Sequence, residues 1–205
     1  MVYNGVNLID FNFDQEKRQE MRGKLGLKDD EVALLFSGYE FGRKGLGYIL
    51  KSLPKISDGA KLLVVGNDDP LPYEKLASKL GVRDKVVFAG FVPDIAACYA
   101  ASDIFVFPTI YEPFGLVITE ALSTGLPVVT SKLAGAAEIM DDGRDGLLLN
   151  DPTDQSEIAE KINFLIDNED IRRAIGDNGR KTAKKYSWNV AAQKTMDVYE
   201  EVMRS

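Results

Sequence analysis

Six short and nearly continuous apolar runs constrain the fold of this chain more than any other feature. Their residues do not alternate between apolar and polar, as they would in strands with one face in water. Uninterrupted apolar runs are typical of strands that are covered on both faces, and such strands belong to parallel sheets. The six runs are Val32–Ser37, Lys61–Gly66, Lys85–Gly90, Asp103–Pro108, Leu126–Ser131 and Asp145–Asn150.

Helix-forming segments separate the central runs, and this alternation sets the fold class. Repeated strand–helix units predict an α/β fold, a Rossmann-like doubly wound parallel sheet with right-handed crossovers. Ligands of such sheets bind at the carboxyl ends of the strands, so the loops that follow the strands are where function is expected. The predicted helices are Gly45–Pro54, Pro72–Gly81, Ile95–Ser102 and Gly115–Thr124.

The last third of the chain consists almost entirely of helix formers and predicts three further helices. We expect breaks between them near Gly176–Gly179, where two glycines interrupt the pattern, and near Tyr186–Trp188. The resulting division is an opening segment with a first helix (residues 1–30), a Rossmann-like domain (31–168) and extra C-terminal helices (169–205).

Composition excludes several kinds of chemistry. Histidine is absent and Cys98 is the single cysteine, so neither an internal disulfide nor a Ser-His or Cys-His nucleophile can form. The setting of Cys98, "IAACYAASD", predicts plain packing. A net charge of −7 argues against nucleic acid as a partner. The chain lacks a long apolar stretch and opens without the regions of a signal peptide, so we expect a cytoplasmic protein, at most peripheral at the inner face of a membrane.

A glycine-rich loop, "GYEFGRKGLG", follows the first strand. It contains neither G-x-G-x-x-G nor G-K-[ST], which argues against a nicotinamide dehydrogenase and against a P-loop NTPase. Arg43 and Lys44 nevertheless lie between a strand and the start of a helix, a position that favours an anion such as phosphate. The alternative is that both are ordinary solvated cations on a surface turn.

Two glutamates frame the turn in "YEPFGLVITE". Glu112 precedes a helix that we expect to start near Gly115, and Glu120 lies roughly 8 Å along that helix. The free amides of Phe114, Gly115, Leu116 and Val117 lie between the two carboxylates. This arrangement suits a ligand with hydroxyls at both ends and phosphate in the middle, as in a nucleotide sugar. Alternatively, both glutamates are simply solvated.

The segment "EPFGLVITEALSTGLPVV" resembles the signature of the family 4 retaining glycosyltransferases of the GT-B fold, in which seven residues separate two glutamates. The loop "FGRKG" is similar to that of lipopolysaccharide-core glucosyltransferases. Further family-like segments follow in the family's order: "NGV", "GRKG", "VVG", "VVFAGFVPD", "ASDIFVFP", "AGAAEIMDDGRDGLLLNDPTD" and "YSWNVAAQKTMDVYEEV".

The resemblance implies the C-terminal, donor-binding half of a two-domain enzyme whose N-terminal half carries the acceptor site. That enzyme moves a sugar from a nucleoside-diphosphate sugar, with UDP-sugar favoured, to a sugar or lipid-linked acceptor hydroxyl in cell-envelope polysaccharide or lipopolysaccharide synthesis. No cofactor and no metal are expected. By resemblance, Glu112 contacts the donor sugar and Glu120 contacts the ribose. Lys44 and Arg43 contact the diphosphate, assisted by the amides around Phe114, Gly115 and Leu116. The base lies along Gly90, Phe91 and Val92.

One departure from the family pattern concerns the first strand, which is followed by Ser37-Gly38 where many members have Gly-Arg. Arg43 is expected to replace that arginine. Glu138, in "AGAAE", is interpreted as a charge at a helix start.

Two other interpretations of the whole chain remain: a stand-alone, non-catalytic nucleotide-sugar binding module, and a GT-B relative such as a sugar-nucleotide epimerase or a phosphorylase. The isolated chain is expected to bind nucleotide and to transfer little sugar, because the cleft needs both walls to exclude water.

Overall fold

The structure, a computed structural model, describes residues 1–204. Each of the six apolar runs contains a strand, and the observed bounds differ from the predicted ones by at most two residues. The strands are β1 (Val32–Ser37), β2 (Ala60–Val65), β3 (Val86–Gly90), β4 (Ile104–Phe107), β5 (Val128–Ser131) and β6 (Gly146–Leu149).

The strands form one parallel sheet in the order β3-β2-β1-β4-β5-β6. This is the order of a Rossmann-type, doubly wound sheet, and it confirms the predicted fold class. In the centre, Leu34 of β1 lies opposite Leu62 of β2 and Ile104 of β4. The chain first adds β2 and β3 on one side of β1 and then adds β4, β5 and β6 on the other side, so the strand order reverses between β1 and β4. A crevice therefore forms at the carboxyl ends of these two strands, where ligands of such sheets bind.

Helices cover both faces of the sheet. All four predicted central helices are confirmed, and Asp14 and Asp154 cap the first and sixth helices by accepting hydrogen bonds from first-turn amides. The helices are α1 (Gln15–Leu25), α2 (Leu46–Ser52), α3 (Leu71–Lys79), α4 (Ile95–Ala101), α5 (Leu116–Thr124), α6 (Gln155–Asp167), α7 (Glu169–Ala183) and α8 (Trp188–Arg204).

The core explains why the strands are apolar throughout. Consecutive residues of β1 from Ala33 onward and of all of β4, whose side chains point to opposite faces, are buried, including Leu34, Leu35, Phe105 and Val106. Both faces of the central strands are therefore covered by helices, as the continuous apolar runs predicted. The packing fixes the loops at the carboxyl edge on a rigid base.

The predicted break near Gly176–Gly179 is wrong. Helix α7 runs through both glycines without interruption, and the break between α6 and α7 lies at Asn168. The glycines serve packing: a Cβ at Gly176 would lie 2.2 Å from the carbonyl oxygen of Gly125, and one at Gly179 would lie 2.8 Å from a methyl of Leu122. They therefore allow α7 to approach α5 closely. The break predicted near Tyr186–Trp188 is confirmed.

Helix α8 differs from the others because it contains no buried residue as far as Arg204. Its start is tied to the opening of the chain: the amide of Val6 donates to the carbonyl of Tyr186 at 2.9 Å, and Val6 bridges to Ser187. Trp188 and Tyr199 are more than half exposed. None of the helices between residues 1 and 204 combines the length and apolar character that crossing a membrane requires.

Candidate functional site

The loops that follow β1 and β4 meet at the crevice between these strands. Gly45 has a positive φ of 87°, and a Cβ there would lie 2.1 Å from the carbonyl oxygen of Pro108. The amide of Ile110 donates to the carbonyl of Arg43 at 3.1 Å, and the hydroxyl of Thr109 lies 3.2 Å from the same oxygen. Only glycine allows so close an approach, so the two loops form one fixed unit.

A cavity of about 260 Å³ opens in this crevice. It brings together three predicted site residues, Lys44, Phe91 and Val92, and it reaches Val117 in the first turn of α5. Gly90 ends β3 beneath it, with a positive φ of 65°. The remaining wall consists of Ser37, Gly38, Tyr39, Val65, Gly66, Pro93 and Ile95.

Lys44 and Glu112 form an ion pair at the edge of the cavity. The Nζ atom of Lys44 lies 3.2 Å from Oε2 of Glu112, and each side chain is only 13% exposed. The ammonium group also lies 5.1 Å from the ring centroid of Phe107. Water screens such a half-buried pair poorly, so each charge acts strongly on its surroundings.

Arg43 lies next to this pair and is already engaged by the protein. Its Nη2 atom donates to Oε2 of Glu40 at 2.6 Å, and its Nη1 atom donates to the carbonyl of Tyr111, also at 2.6 Å. The hydrogen bond from Arg43 lowers the pKa of Glu40 below its usual value. The cavity wall includes Lys44 and not Arg43. Of the two predicted diphosphate contacts, Lys44 therefore has the better position.

The turn between Glu112 and Gly115 is held from below by the loop that follows β5. The amide of Gly135 donates to the carbonyl of Glu112 at 2.9 Å, and the amide of Ala136 donates to that of Phe114 at 2.7 Å. A Cβ at Gly135 would lie 2.1 Å from the carbonyl oxygen of Pro113. The turn therefore presents the side chain of Glu112 from a rigid backbone.

Helix α5 begins as predicted, directly after Gly115, which has a φ of 98° and supplies no side-chain cap. The amides of Leu116 and Val117 in its first turn have no acceptor within the helix. Together with the helix dipole, they create a positive potential that favours an anion. Because Val117 lines the cavity, this end of the helix faces the same space as Lys44.

Glu120 lies on α5 and has a partner that the sequence did not reveal. The Oη atom of Tyr99, a fully buried residue of α4, donates to Oε2 of Glu120 at 2.8 Å. Burial raises the pKa of Glu120, while the hydrogen bond from Tyr99 lowers it. The only sequence signal is that Tyr99 is a lone large polar side chain in "IAACYAA", among alanines and Cys98.

Other candidate residues have structural roles. Oδ2 of Asp68 accepts from the amide of Phe41 at 2.7 Å, and Oδ1 of Asp142 accepts from that of Leu148 at 2.8 Å, so both carboxylates hold backbone turns. Glu138 accepts a hydrogen bond from Tyr3 at 3.0 Å. Cys98 is fully buried, and burial raises the pKa of its thiol to about 12, in line with packing. Between residues 1 and 204, no three Asp, Glu or Cys side chains come together as metal ligands would.

A larger cavity, of about 660 Å³, lies at the opposite edge of the sheet, where β1 and β4 begin. Its four arginines are already engaged: Arg18 binds Asp103 at 2.7 Å, Arg173 lies against Glu169, and Arg172 and Arg180 donate to backbone carbonyls. The amino ends of parallel strands are not where α/β sheets bind ligands. The smaller cavity is therefore the better candidate site.

The fold and the crevice together define an α/β domain of the nucleotide-binding kind. Residues 17–182 match the model of the family described as glycosyl transferases group 1. Because this match covers most of the chain, the chain belongs to the group 1 glycosyl transferase family, which confirms the family expected from the sequence.

Three proteins illustrate the similarity. An uncharacterized glycosyltransferase, MJ1607, from Methanocaldococcus jannaschii is 36% identical over 99% of this chain and 54% of its own length. Lipopolysaccharide glucosyltransferase WaaG from Escherichia coli K12 is 32% identical over 88% of this chain and 50% of its own length. The crystal structure of Anabaena Alr3699/HepE in complex with UDP superposes with a TM-score of 0.90 and 26% identity, covering 98% of this chain and 57% of that one. The chain thus spans about half the length of the curated relatives that it matches.

Proposed function

We propose that this chain is the donor-binding half of a retaining glycosyltransferase, which transfers a sugar from a nucleoside-diphosphate sugar to an acceptor hydroxyl. The observation that carries the proposal is the common space shared by Lys44 and the first turn of α5. A cation and free helix amides that face one cavity at the switch point of the sheet form a site for a diphosphate.

Lys44 and the amides of Leu116 and Val117 would stabilise the negative charge that develops on the leaving diphosphate. Electrostatic groups that are already in place before the reaction contribute most to such catalysis, because they need no reorganisation. The ion pair with Glu112 holds Lys44 in place beforehand. With this protein charge available, the proposed transfer needs no metal ion.

Glu112 would bind hydroxyls of the donor sugar, because it lies at the mouth of α5 beside the phosphate position. Its carboxylate is paired with Lys44, whereas that of Glu120 accepts from Tyr99. Each carboxylate thus has its own partner, unlike the close pair of a retaining glycosidase. We therefore assign neither glutamate as a nucleophile. In a front-face displacement, the departing phosphate would instead help to take the proton of the acceptor.

The base would lie along Gly90, Phe91 and Val92. Phe91 is 65% exposed and lines the cavity, so its ring is available for stacking. We favour a UDP-sugar because the Anabaena protein was solved with UDP. By similarity to WaaG, we place the reaction in lipopolysaccharide or cell-envelope polysaccharide synthesis.

The acceptor would bind to an N-terminal half that this chain does not contain. The chain spans about half of its relatives, and α8 presents apolar side chains without a buried residue. We propose that residues 31–168 form the nucleotide-sugar domain and that the opening residues 1–30 lead to it from the N-terminal half. Of the helices of residues 169–205, α7 packs on α5 of this chain, and we propose that α8 packs against the N-terminal half. The isolated chain should then transfer little sugar, since one wall of the cleft cannot exclude water.

Calorimetric titration of the 205-residue chain tests the proposal. UDP, GDP and ADP are compared first, followed by the sugar nucleotides of the base that binds. We expect one diphosphate to bind, UDP being favoured, and Lys44→Ala to weaken it. Equal binding by wild type and Lys44→Ala, or no binding by a folded wild type, would overturn the assignment of this site.

A further inference from the structure

Tyr99 is a fully buried polar side chain that contacts Glu120 of the proposed site. It has no exposed surface, and its ring packs edge-on against Phe11 and at a tilt of 36° against Phe105 in the core. Its hydroxyl lies 2.8 Å from Oε2 of Glu120 and 3.2 Å from the carbonyl of Val117. A phenol has a single proton to donate, and the shorter distance to a carboxylate is the stronger hydrogen bond.

We propose that Tyr99 is a positioning residue for Glu120, which fixes that carboxylate so that its second oxygen accepts from the ribose hydroxyls of the donor. The inference rests on the proposed function, since it needs a nucleotide in the crevice. Tyr99 itself does not touch the ligand. It acts on the ligand only through Glu120.

The geometry supports different partners for the two carboxylate oxygens of Glu120. Tyr99 engages Oε2 of Glu120, and no donor among residues 1–204 engages Oε1. A carboxylate oxygen can accept two hydrogen bonds, so Oε1 remains available to vicinal hydroxyls of a ribose. Because the core fixes the ring of Tyr99, the direction of this carboxylate is set before a ligand arrives. Such preorganisation reduces the conformational entropy that is lost when the ligand binds.

Burial makes the contact between Tyr99 and Glu120 necessary. Removing a carboxylate from water is unfavourable unless a donor replaces the lost water. Among residues 1–204, no cation pairs with Glu120 as Lys44 pairs with Glu112. The hydroxyl of Tyr99 supplies the donor, and it holds the charged form of Glu120, which can only accept from hydroxyls.

Tyr99→Phe tests the proposal, because it removes one hydroxyl and keeps the ring. The readout is the ratio of UDP affinity to 2′-deoxy-UDP affinity for the 205-residue chain, which a loss of general stability would not change. We expect wild type to prefer UDP by about tenfold and Tyr99→Phe to lose most of this preference. Tyr73→Phe is the matched control: it likewise removes one tyrosine hydroxyl, it lies on α3 outside the cavity wall, and its preference should equal that of wild type.

A double-mutant cycle separates positioning from packing. In a Glu120→Ala background, Tyr99→Phe should change UDP affinity no further, because the residue through which it acts is gone. An unchanged ratio in Tyr99→Phe, or additive effects in the cycle, would overturn the role of Tyr99 and leave the nucleotide site standing. If wild type binds UDP and 2′-deoxy-UDP equally, the ribose contact itself is wrong and this inference falls with it. If folded wild type binds no nucleotide, the proposed function fails as well.

A measurement on wild type covers the case in which Tyr99→Phe does not fold. With tyrosine labelled by ¹³C at Cζ, the resonance of Tyr99 reports the hydrogen bond of its hydroxyl. We expect it to shift when UDP is added and to stay in place when 2′,3′-dideoxy-UDP is added. A resonance that moves equally with both ligands, or with neither, would contradict the proposal.

Discussion

Lys44 and Glu112 join the loops after β1 and β4 at the point where the sheet order reverses, with 3.2 Å between Nζ and Oε2. One residue of this pair is expected to bind the diphosphate and the other the donor sugar. Because each neutralises the other before a ligand binds, replacing either one changes the field that the ligand meets. Their separate substitution therefore distinguishes contacts to phosphate from contacts to sugar.

Lys44→Ala should weaken UDP binding by about tenfold or more, since it removes a poorly screened cation from the cavity wall. Arg43→Ala should weaken it by less than about threefold, because Glu40 and the carbonyl of Tyr111 already occupy the guanidinium of Arg43. Calorimetry on both variants measures the difference. A larger loss for Arg43→Ala would show that, in wild type, the guanidinium of Arg43 leaves Glu40 and binds the diphosphate.

Glu112→Gln should leave UDP binding unchanged or make it tighter, because the negative charge nearest the phosphates is removed while the shape is kept. The additional affinity for UDP-glucose over UDP should fall by about tenfold. Competition titrations with the two ligands measure this. Glu74→Gln removes a more exposed carboxylate that lies on α3 and pairs with Arg83, and it serves as the matched control. A full preference for UDP-glucose in Glu112→Gln would exclude Glu112 as a sugar contact.

The ribose-dependent part of UDP binding should be lost on acidification at a higher pH than an ordinary glutamate would allow. Burial raises the pKa of Glu120 above 4.5, and a protonated carboxyl no longer accepts from two hydroxyls. The neighbouring titratable groups, Tyr99 and Cys98, both have raised pKa values and stay neutral here. UDP and 2′-deoxy-UDP are titrated between about pH 4 and about pH 8. A preference for UDP that persists down to pH 4.5 would contradict this assignment.

The same raised pKa has the opposite consequence for folding. A carboxyl whose pKa is higher in the folded state is destabilising while it is ionised, above its folded pKa. As the pH falls from neutral through that raised pKa, this penalty is relieved. The free energy of unfolding of wild type should therefore rise as the pH falls from neutral to mildly acidic, as far as Glu120 contributes to it. Glu120→Gln should lack this contribution. Urea unfolding of wild type and Glu120→Gln at the two pH values measures it.

Gly176→Ala should destabilise the chain by about 2 kcal/mol, although alanine favours helices, because its Cβ would lie 2.2 Å from the carbonyl of Gly125. Gly23→Ala is the matched control, because Gly23 lies in α1 with no atom within 4 Å of a built Cβ. It should stabilise by about 0.5–1 kcal/mol. Urea unfolding measures both variants, and equal effects would contradict the close packing of α7 on α5.

Patterns that reflect burial could be predicted from the sequence. The apolar runs gave every strand to within two residues, because both faces of a parallel sheet need apolar side chains along the whole strand. The "EPFG" turn and the start of α5 followed from Pro113 and Gly115, whose backbone preferences are local. Lys44 and Phe91 met in one cavity because both follow strands at the same edge of the sheet.

Contacts between distant segments could not be predicted in this way. A glycine in a helix pattern indicates a break unless the neighbouring element is known, and the sequence does not show that Gly176 packs against the end of α5. The hydrogen bond from Tyr99 to Glu120 depends on the packing of α4 beside α5, and no spacing in the sequence encodes it. Likewise, the pairing of Glu40 with the guanidinium of Arg43 depends on a loop geometry that only the fold specifies.

The most direct test of the central claim is a titration of the ¹⁵N-labelled 205-residue chain with UDP, followed through its backbone amide resonances. The account predicts that the largest shifts occur at Gly38, Lys44, Phe91, Leu116 and Val117, around the cavity between β1 and β4. Shifts that gather instead around Arg18 and Arg180, in the larger cavity at the amino ends of the strands, would contradict it.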